Sequence, residues 1–299
     1  MSVVASPSVR AYAGNKGVDI DHVARAAGRQ TLAREDIDRH LGDGNGGGDK
    51  GEARQGPTGY WAVDHGAHGA VSQEPLPRFA RLASDNLSAA NALIPQVTHH
   101  DRADMRAVEA LRASLKTEAA ERGVRLTALA FHVKALAHCL GAFGRFNASL
   151  SPDGETLILK HYVHIGIAVD TPHGLMVPVI READRKGLWR IAAEIADLAA
   201  RAQARKIRAE EMGGASMSIS NLGGIGGTAF TPIVNPPEVA ILGITRMQTV
   251  PVWDQEQWLP VPMAPLDLSY DHRVINGADA ARFLARYASL LADPRRLLL

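Results

Sequence analysis

The sequence predicts an α/β domain, a mixed β-sheet packed by helices, with a small all-helical block ahead of it. Three observations lead there. Short alternating or β-branched runs recur at 164–170, 175–180, 216–220, 239–244 and 265–270, and each reads as a strand. Helix-period apolar patterns lie between and after them without strict alternation, which favours a mixed sheet over a doubly wound parallel one. Ahead of both, residues 42–59 read GDGNGGGDKGEARQGPTG. Glycine dominates there and no core can form, so a flexible linker is predicted.

Taken in chain order, residues 1–41 form a block too short for a large core. Helices are expected at 8–16 and 33–41, joined by a short connection. Ser6-Pro7 is a plausible helix start, since proline fits the first turn. The linker is expected over 42–73, because GYWAVDHGAHGAVSQ has no sustained period; Tyr60 and Trp61 within it either dock on a neighbour or stand exposed. Residues 74–299 hold the α/β domain. Met105, Val108, Leu111 and Leu115 recur at helical spacing there, as do Leu188, Ile191, Ala192, Ile195 and Leu198. Thr171-Pro172-His173-Gly174 breaks the first two strand runs into a hairpin. The run PLDLSY (265–270) alternates as a half-buried strand does, and ADAARFLARYASLL (278–291) is helical by composition and spacing.

Composition narrows the function classes. The 299 residues carry 33 basic and 32 acidic side chains, a net charge of +1, which gives no general reason to expect nucleic acid or an anionic membrane as partner. No apolar run approaches the roughly 20 residues needed to span a bilayer, and MSVVASPSVR does not read as a secretory signal. The single cysteine, Cys139, excludes an intrachain disulfide framework and fits a reducing compartment. Set in LTALAFHVKALAHCLGAF, it reads as a buried structural thiol. No Cys/His cluster has metal-ligand spacing, so no metal is expected.

Two stretches carry reactive groups. In SYDHRVING, 269–277, a carboxylate, an imidazole, a guanidinium and an amide fall within six positions just after a strand. His272 sits on the connection leaving that strand, where a rigid scaffold fixes a loop residue. An imidazole, with an ordinary pKa of about 6.5, can take and return a proton at neutral pH; the alternative is a capping or core histidine held by Asp271. The second stretch, SISNLGGIGGTAFTPIVNPPEVAILG, 218–243, reads as strand, glycine-rich turn, extended segment and strand. GGIGG lacks the Lys-Ser/Thr of a phosphate loop, and no helix pattern follows, so a flexible hairpin is the simpler reading. Ser220 is the hydroxyl at the end of its first strand.

Together these stretches closely resemble the catalytic domain of the 2-oxo acid dehydrogenase acyltransferases, the E2 family, and within it the acetyl-transferring branch. The likeness extends over PLPRFARLASDNL, IPQVTHHDRADM, RFNASLSPDGETLILKHYVHIGIAVDTPHGLMVPVI and ADPRRLLL, covering about residues 75–299. SPSVRAYAGNKGVDI and REDI resemble the small helical domain of the same proteins, which binds peripheral subunits. The resemblance implies a chloramphenicol-acetyltransferase-like fold. The family motif DHRxx(D/N)G falls on Asp271, His272, Arg273, Asn276 and Gly277. It makes His272 the general base, while Ser220 matches the serine that holds the oxyanion. Where many relatives carry Asp, this chain has Asn276, which is assigned an orienting hydrogen bond. Phe230 and Leu242 would line the pantetheine path.

The implied reaction moves an acetyl group from S-acetyldihydrolipoamide to coenzyme A in the core of a pyruvate dehydrogenase complex, with no covalent acyl-enzyme. The implied assembly is a homotrimer in which His272 of one chain faces Ser220 of the next. Trimers would build a cubic or icosahedral core, with residues 297–299 in trimer–trimer contacts. Pyruvate dehydrogenase and dihydrolipoamide dehydrogenase subunits would be partners, and a cytoplasmic location is favoured. Nothing in the chain resembles the Asp-Lys-Ala turn of a lipoyl domain, so the lipoyl group is expected from a domain absent from this chain. The N-terminal block lacks the family's glycine-rich loop with Gly-Arg, leaving Arg10, Arg25 and Arg29 as candidates for partner binding, or as a solvated charged face. Competing readings are a succinyl- or branched-chain acyltransferase, and a non-catalytic scaffold; the presence of both His272 and Ser220 argues against the scaffold.

Overall fold

The structure, a computed structural model, describes residues 7–28, 31–43, 63–172 and 174–297. The chain separates into units Met1–Glu74 and Pro75–Leu299. In the first unit, α1 (Pro7–Asn15), α2 (Ile20–Ala27) and α3 (Arg34–Asp43) bury Val9, Ala13, Val23, Ala24, Leu32 and Ile37 as one small core. The two-helix expectation missed α2. Its signals are local: Asp19 accepts from the Asp21 N–H, and Gly28 closes the end at φ 65°, a conformation glycine adopts without strain. Eight residues give too short a period to read.

The second unit opens with α4 (Arg78–Leu93), β1 (Gln96–Asp104), α5 (Arg106–Ser114), α6 (Lys116–Glu121) and α7 (Ala128–Ala142). The small pair β2 (Ala148–Leu150) and β3 (Leu157–Leu159) follows, then β4 (Ile165–Ala168), β5 (Val179–Ile180) and α8 (Leu188–Gln203). The C-terminal part is β6 (Met217–Asn221), β7 (Ala240–Ile244), β8 (Gln248–Trp253), β9 (Trp258–Asp271) and α9 (Gly277–Ala292). The main sheet runs β1-β9-β7-β6-β4-β5, with β8 paired to the first half of β9. It is mixed as expected: β4–β6 and β6–β7 are parallel, the other pairs antiparallel. The run 175–180 pairs as a strand only at Val179–Ile180. Pro178 has no N–H to give, though its carbonyl accepts from Ile167 at 2.9 Å.

One expectation is corrected outright. Because β6 and β7 are parallel neighbours, residues 222–239 cannot be a hairpin; they are a crossover that carries the chain back along the sheet, as parallel pairing requires. Side chains alternate between faces along each strand. On one face Leu242, Leu266, Leu268, Tyr270 and Ile219 join Phe131, Leu136, Phe283 and Tyr287 of α7 and α9 in the main core. The other face is covered by the crossover and α4, where Val234, Ala90 and Ile94 pack on Ile241. Cys139 lies fully buried in α7, and burial pushes its thiol up to about 12.

Candidate active site

The crossover face is lined by polar side chains because β9 alternates Leu266, Leu268 and Tyr270 inward with Asp267, Ser269 and Asp271 outward. Register places Ser220 of β6 opposite Gly243 of β7, Gly243 opposite Asp267 of β9, and Asp267 opposite His100 of β1. Four consecutive strands thus present one row. Gly243 leaves a gap in it that the Phe230 ring fills: a Cβ there would lie 2.6 Å from Phe230 Cε1. The Asp267 carboxylate, 1% exposed, accepts from His100 Nδ1 at 2.6 Å and from the Phe230 N–H at 3.3 Å. Ser220 itself is half-buried.

The DHRVING stretch forms a tight turn between β9 and α9. Asp271, 2% exposed, receives the Arg273 guanidinium at 2.7 and 3.0 Å and the Arg273 N–H at 3.0 Å. That hydrogen bonding holds the guanidinium above its ordinary range. The Asp271 carbonyl accepts the N–H groups of Val274 and Ile275, both at 3.0 Å, and these two side chains are buried in the core. Asp271 N–H donates to Val239 O at 2.8 Å and His272 N–H to Pro95 O at 3.0 Å. The turn is therefore clamped between the entries of β7 and β1. Asn276 Oδ1 accepts the Asp279 N–H at 2.8 Å and caps α9.

This clamp explains the crowding of polar groups: carboxylate, guanidinium and amide hold the turn, and the imidazole is left outward. His272 is exposed. Its ring is tilted against Tyr270 at 5.8 Å between centroids, and among the described residues its ring nitrogens have no hydrogen-bond partner. The capping-histidine alternative fails on that point. An orienting bond from Asn276 to His272 is likewise not made; the amide oxygen is committed to the helix cap.

Within one chain Ser220 and His272 stand at opposite ends of the sheet. Register puts Tyr270 level with Ala240, and Ile241 level with Ser218. His272 is thus displaced from Ser220 by about five residues, about 17 Å along the strands. No single protomer can use both on one bond.

The remaining expected residues divide. Phe230 is half-buried with its ring over Gly243, the residue opposite Ser220. Leu242 is fully buried in the helix-side core, one position out of phase with Gly243. Its place as a lining residue is corrected: the strand's period of two turns it away from the crossover face. Arg10 and Arg25 are exposed on the first unit, and Arg25 Nε donates to Asp21 O at 3.2 Å. Arg29, Tyr60, Trp61, His173 and residues 298–299 lie outside the described residues.

The sequence reading missed His100, Asp267 and Glu238. The His100–Asp267 pair had a signal, a charge inside an alternating apolar run, but its partner is 167 residues away. Glu238 is buried in the crossover against Ser218 at 2.9 Å and Asn235 at 3.2 Å. Burial pushes its carboxyl up to about 7, against these hydrogen bonds and nearby Lys160. Its second oxygen has no partner among the described residues. Among those residues no His/Cys/Asp/Glu group could hold a metal, and no helix is long and apolar enough to cross a membrane.

Residues 68–299 match the family described as 2-oxoacid dehydrogenases acyltransferase (catalytic domain). The chain is 46% identical to the dihydrolipoyllysine-residue acetyltransferase component of the Pseudomonas aeruginosa pyruvate dehydrogenase complex, over 99% of this chain and 55% of that protein. It is 44% identical to the Azotobacter vinelandii component, over 99% of this chain and 47% of that protein. It therefore spans about half the length of the curated relatives it matches. Among solved structures, an Azotobacter vinelandii dihydrolipoamide acetyltransferase superposes with TM-score 0.78 at 50% identity, covering 79% of this chain and 98% of that one. The cubic core of a pyruvate dehydrogenase multienzyme complex superposes with TM-score 0.78 at 51% identity, over the same shares.

Proposed function

The chain belongs to the 2-oxoacid dehydrogenase acyltransferases, and from that premise we propose that it transfers an acetyl group from S-acetyldihydrolipoamide to coenzyme A in the core of a pyruvate dehydrogenase complex. The observation that carries the reading is the separation of the two groups. His272 and Ser220 lie at opposite ends of one sheet, so they serve one reaction when the His272 end of one protomer meets the Ser220 end of another. A homotrimer built into a larger cubic or icosahedral core supplies that meeting. The Azotobacter vinelandii structure was studied for the role of a serine, a histidine and an asparagine in its catalytic mechanism. Those three are separated by the same intervals, 52 and 4 residues, as Ser220, His272 and Asn276.

The chemistry follows from the residue types. A thiol is mostly protonated at neutral pH, and the thiolate is the nucleophile. His272, outward and without a side-chain hydrogen-bond partner among the described residues, accepts the coenzyme A thiol proton as sulfur attacks the thioester carbonyl. The carbonyl oxygen gains charge, and the Ser220 hydroxyl donates a hydrogen bond to it; one such donor is worth about 3–4 kcal/mol in the transition state. Collapse breaks the bond to the dihydrolipoyl sulfur, which takes the proton back from His272. Asn276 keeps the His272 turn in place by capping α9, and its amide nitrogen remains available to donate across the interface. Phe230 walls the acceptor path beside Ser220.

Pyruvate dehydrogenase and dihydrolipoamide dehydrogenase subunits are the proposed partners of the first unit, through Arg10 and Arg25. The lipoyl group arrives on a separate domain. A cytoplasmic location is proposed on the bacterial sources of the relatives. The test is acyl transfer by the purified chain from acetyl-, succinyl- and isobutyryl-dihydrolipoamide, with acetyl expected fastest. His272→Ala should abolish transfer while the assembly mass stays the same; near-normal turnover in that variant would overturn the assigned base.

A further inference from the structure

Two strands from Ser220, in the same row, lies a histidine–carboxylate pair that the proposed reaction does not use. Asp267 is buried, and a buried carboxylate is costly unless each oxygen is satisfied. Here one oxygen takes His100 Nδ1 at 2.6 Å and the other takes the Phe230 N–H at 3.3 Å. His100 is half-exposed and anchors from β1; Phe230 belongs to the crossover. Asp267 thus bridges the sheet edge to the segment covering the sheet.

That bridge is the crossover's fastening at this point. Among the described residues, 227–233 make one hydrogen bond, the Phe230 N–H to Asp267. The next tie along the chain is the Val234 N–H to Gln96 Oε1 at 2.8 Å. The Phe230 ring rests over Gly243, directly beside Ser220 in the sheet. A leucine at 267 would satisfy packing; it could not hold the Phe230 amide.

We propose that Asp267, braced by His100, is a positioning residue that fixes the Phe230 wall of the acceptor-thiol path beside Ser220. The proposal deepens the acyl-transfer reading and rests on it for the identity of the acceptor. It makes a carboxylate on β9 act through a backbone amide, and it gives the imidazole on β1 the task of keeping that carboxylate anchored and oriented. Lost bracing lets the crossover lift, which widens the acceptor side of the site where Phe230 stands.

The test compares Asp267→Ala, Asp267→Asn and His100→Ala in the full chain. KM is measured separately for coenzyme A and for acetyl-dihydrolipoamide, and amide hydrogen exchange is followed by mass spectrometry over 222–239. Asp267→Ala should raise KM for coenzyme A about tenfold, the loss expected for a hydrogen bond to a charged acceptor, with KM for the donor unchanged. Asp267→Asn keeps an oxygen for the Phe230 amide and should restore most of that loss. His100→Ala, at a half-exposed position, should shift KM in the same direction by less, and it carries the test if Asp267→Ala fails to fold. Exchange should rise over 222–239 and not over β9. Both KM values moving together, or unchanged KM and exchange, would overturn the positioning role. If the wild-type chain transfers no acyl group, the proposed function falls, and the exchange measurement still decides whether Asp267 fastens the crossover.

Discussion

On the helix side of the sheet, Leu242, Leu266, Leu268 and Tyr270 are sealed among Phe131, Phe283 and Tyr287. One residue along the same strands, on the crossover side, stand Ser218, Ser220, Asp267 and Ser269. Both sides are largely closed to water in this chain, yet they are closed differently. The helix side is closed by interdigitated apolar surface, which stabilises in proportion to area. The crossover side is closed by a segment held through a small apolar cluster at Val234 and scattered hydrogen bonds, among them Ser218 to Glu238, the Val234 amide to Gln96 and the Phe230 amide to Asp267. Division of labour follows: the first side holds the fold, and the second leaves polar groups where a substrate can meet them.

The sharpest way to break the comparison is to truncate each side in turn. Leu268→Ala should lower stability by about 2–5 kcal/mol, read as a lower midpoint in chemical denaturation, with turnover per folded molecule unchanged. Ser220→Ala should do the reverse, lowering kcat by about a hundredfold to a thousandfold, about 3–4 kcal/mol, with the denaturation midpoint unmoved. A Ser220 variant that lost stability in proportion to activity would erase the distinction.

Two buried titratable groups sharpen it by sign. His132, buried against Tyr287 at 2.7 Å on the helix side, is pushed down to about 4 by burial. Its folded value lies below its unfolded value of 6.5, so it costs stability as pH falls from 6.5 through 4. Glu238 is raised by burial from its ordinary 4.5 to about 7, so it costs stability as pH rises from 4.5 through 7. Each window corresponds to about 3 kcal/mol. His132→Gln should flatten the acid slope and Glu238→Gln the neutral one, measured by denaturation between about pH 4 and 8. Slopes that stay unchanged in both variants would mean the two groups titrate as they do in the unfolded chain.

The smallest effect is expected at the gap in the polar row. Gly243→Ala places a Cβ 2.6 Å from the Phe230 ring and 3.1 Å from Asp267 Cβ. Overpacking of that kind costs about 1–3 kcal/mol, and the ring can give way. The expected result is a modest loss of stability with a severalfold rise in KM for coenzyme A. A neutral outcome would show that the Phe230 wall tolerates displacement.

Much of this was legible in the residues. The alternation of PLDLSY marked β9 and its two faces, although the strand proves longer, Trp258–Asp271, because β8 extends it. The helix at 278–291 was readable from its spacing and stands as Gly277–Ala292. His272 was readable as a loop residue leaving a strand. Asn276 was read for an orienting hydrogen bond, and its cap to Asp279 is visible only once the helix start is fixed. β1 was not assigned as a strand, since QVTHHDRAD is polar at most positions; its pairing with β9 along nine residues makes it one. The 222–239 segment looked like a hairpin because glycine-rich turns usually are, and only the parallel register of β6 and β7 excludes that.

The sequence by itself determined what is local or periodic: the mixed α/β class, the positions of α8 and α9, the reactive histidine turn and the serine at a strand end. Tertiary structure alone decided which distant residues share a row, that Leu242 faces the helices while Gly243 receives Phe230, and that Asp267 joins His100 to the crossover. The reason is physical. Period and capping act over a few residues and leave a trace in composition, whereas register between strands far apart in the chain is fixed by the burial of whole faces at once, and no short window of sequence contains it.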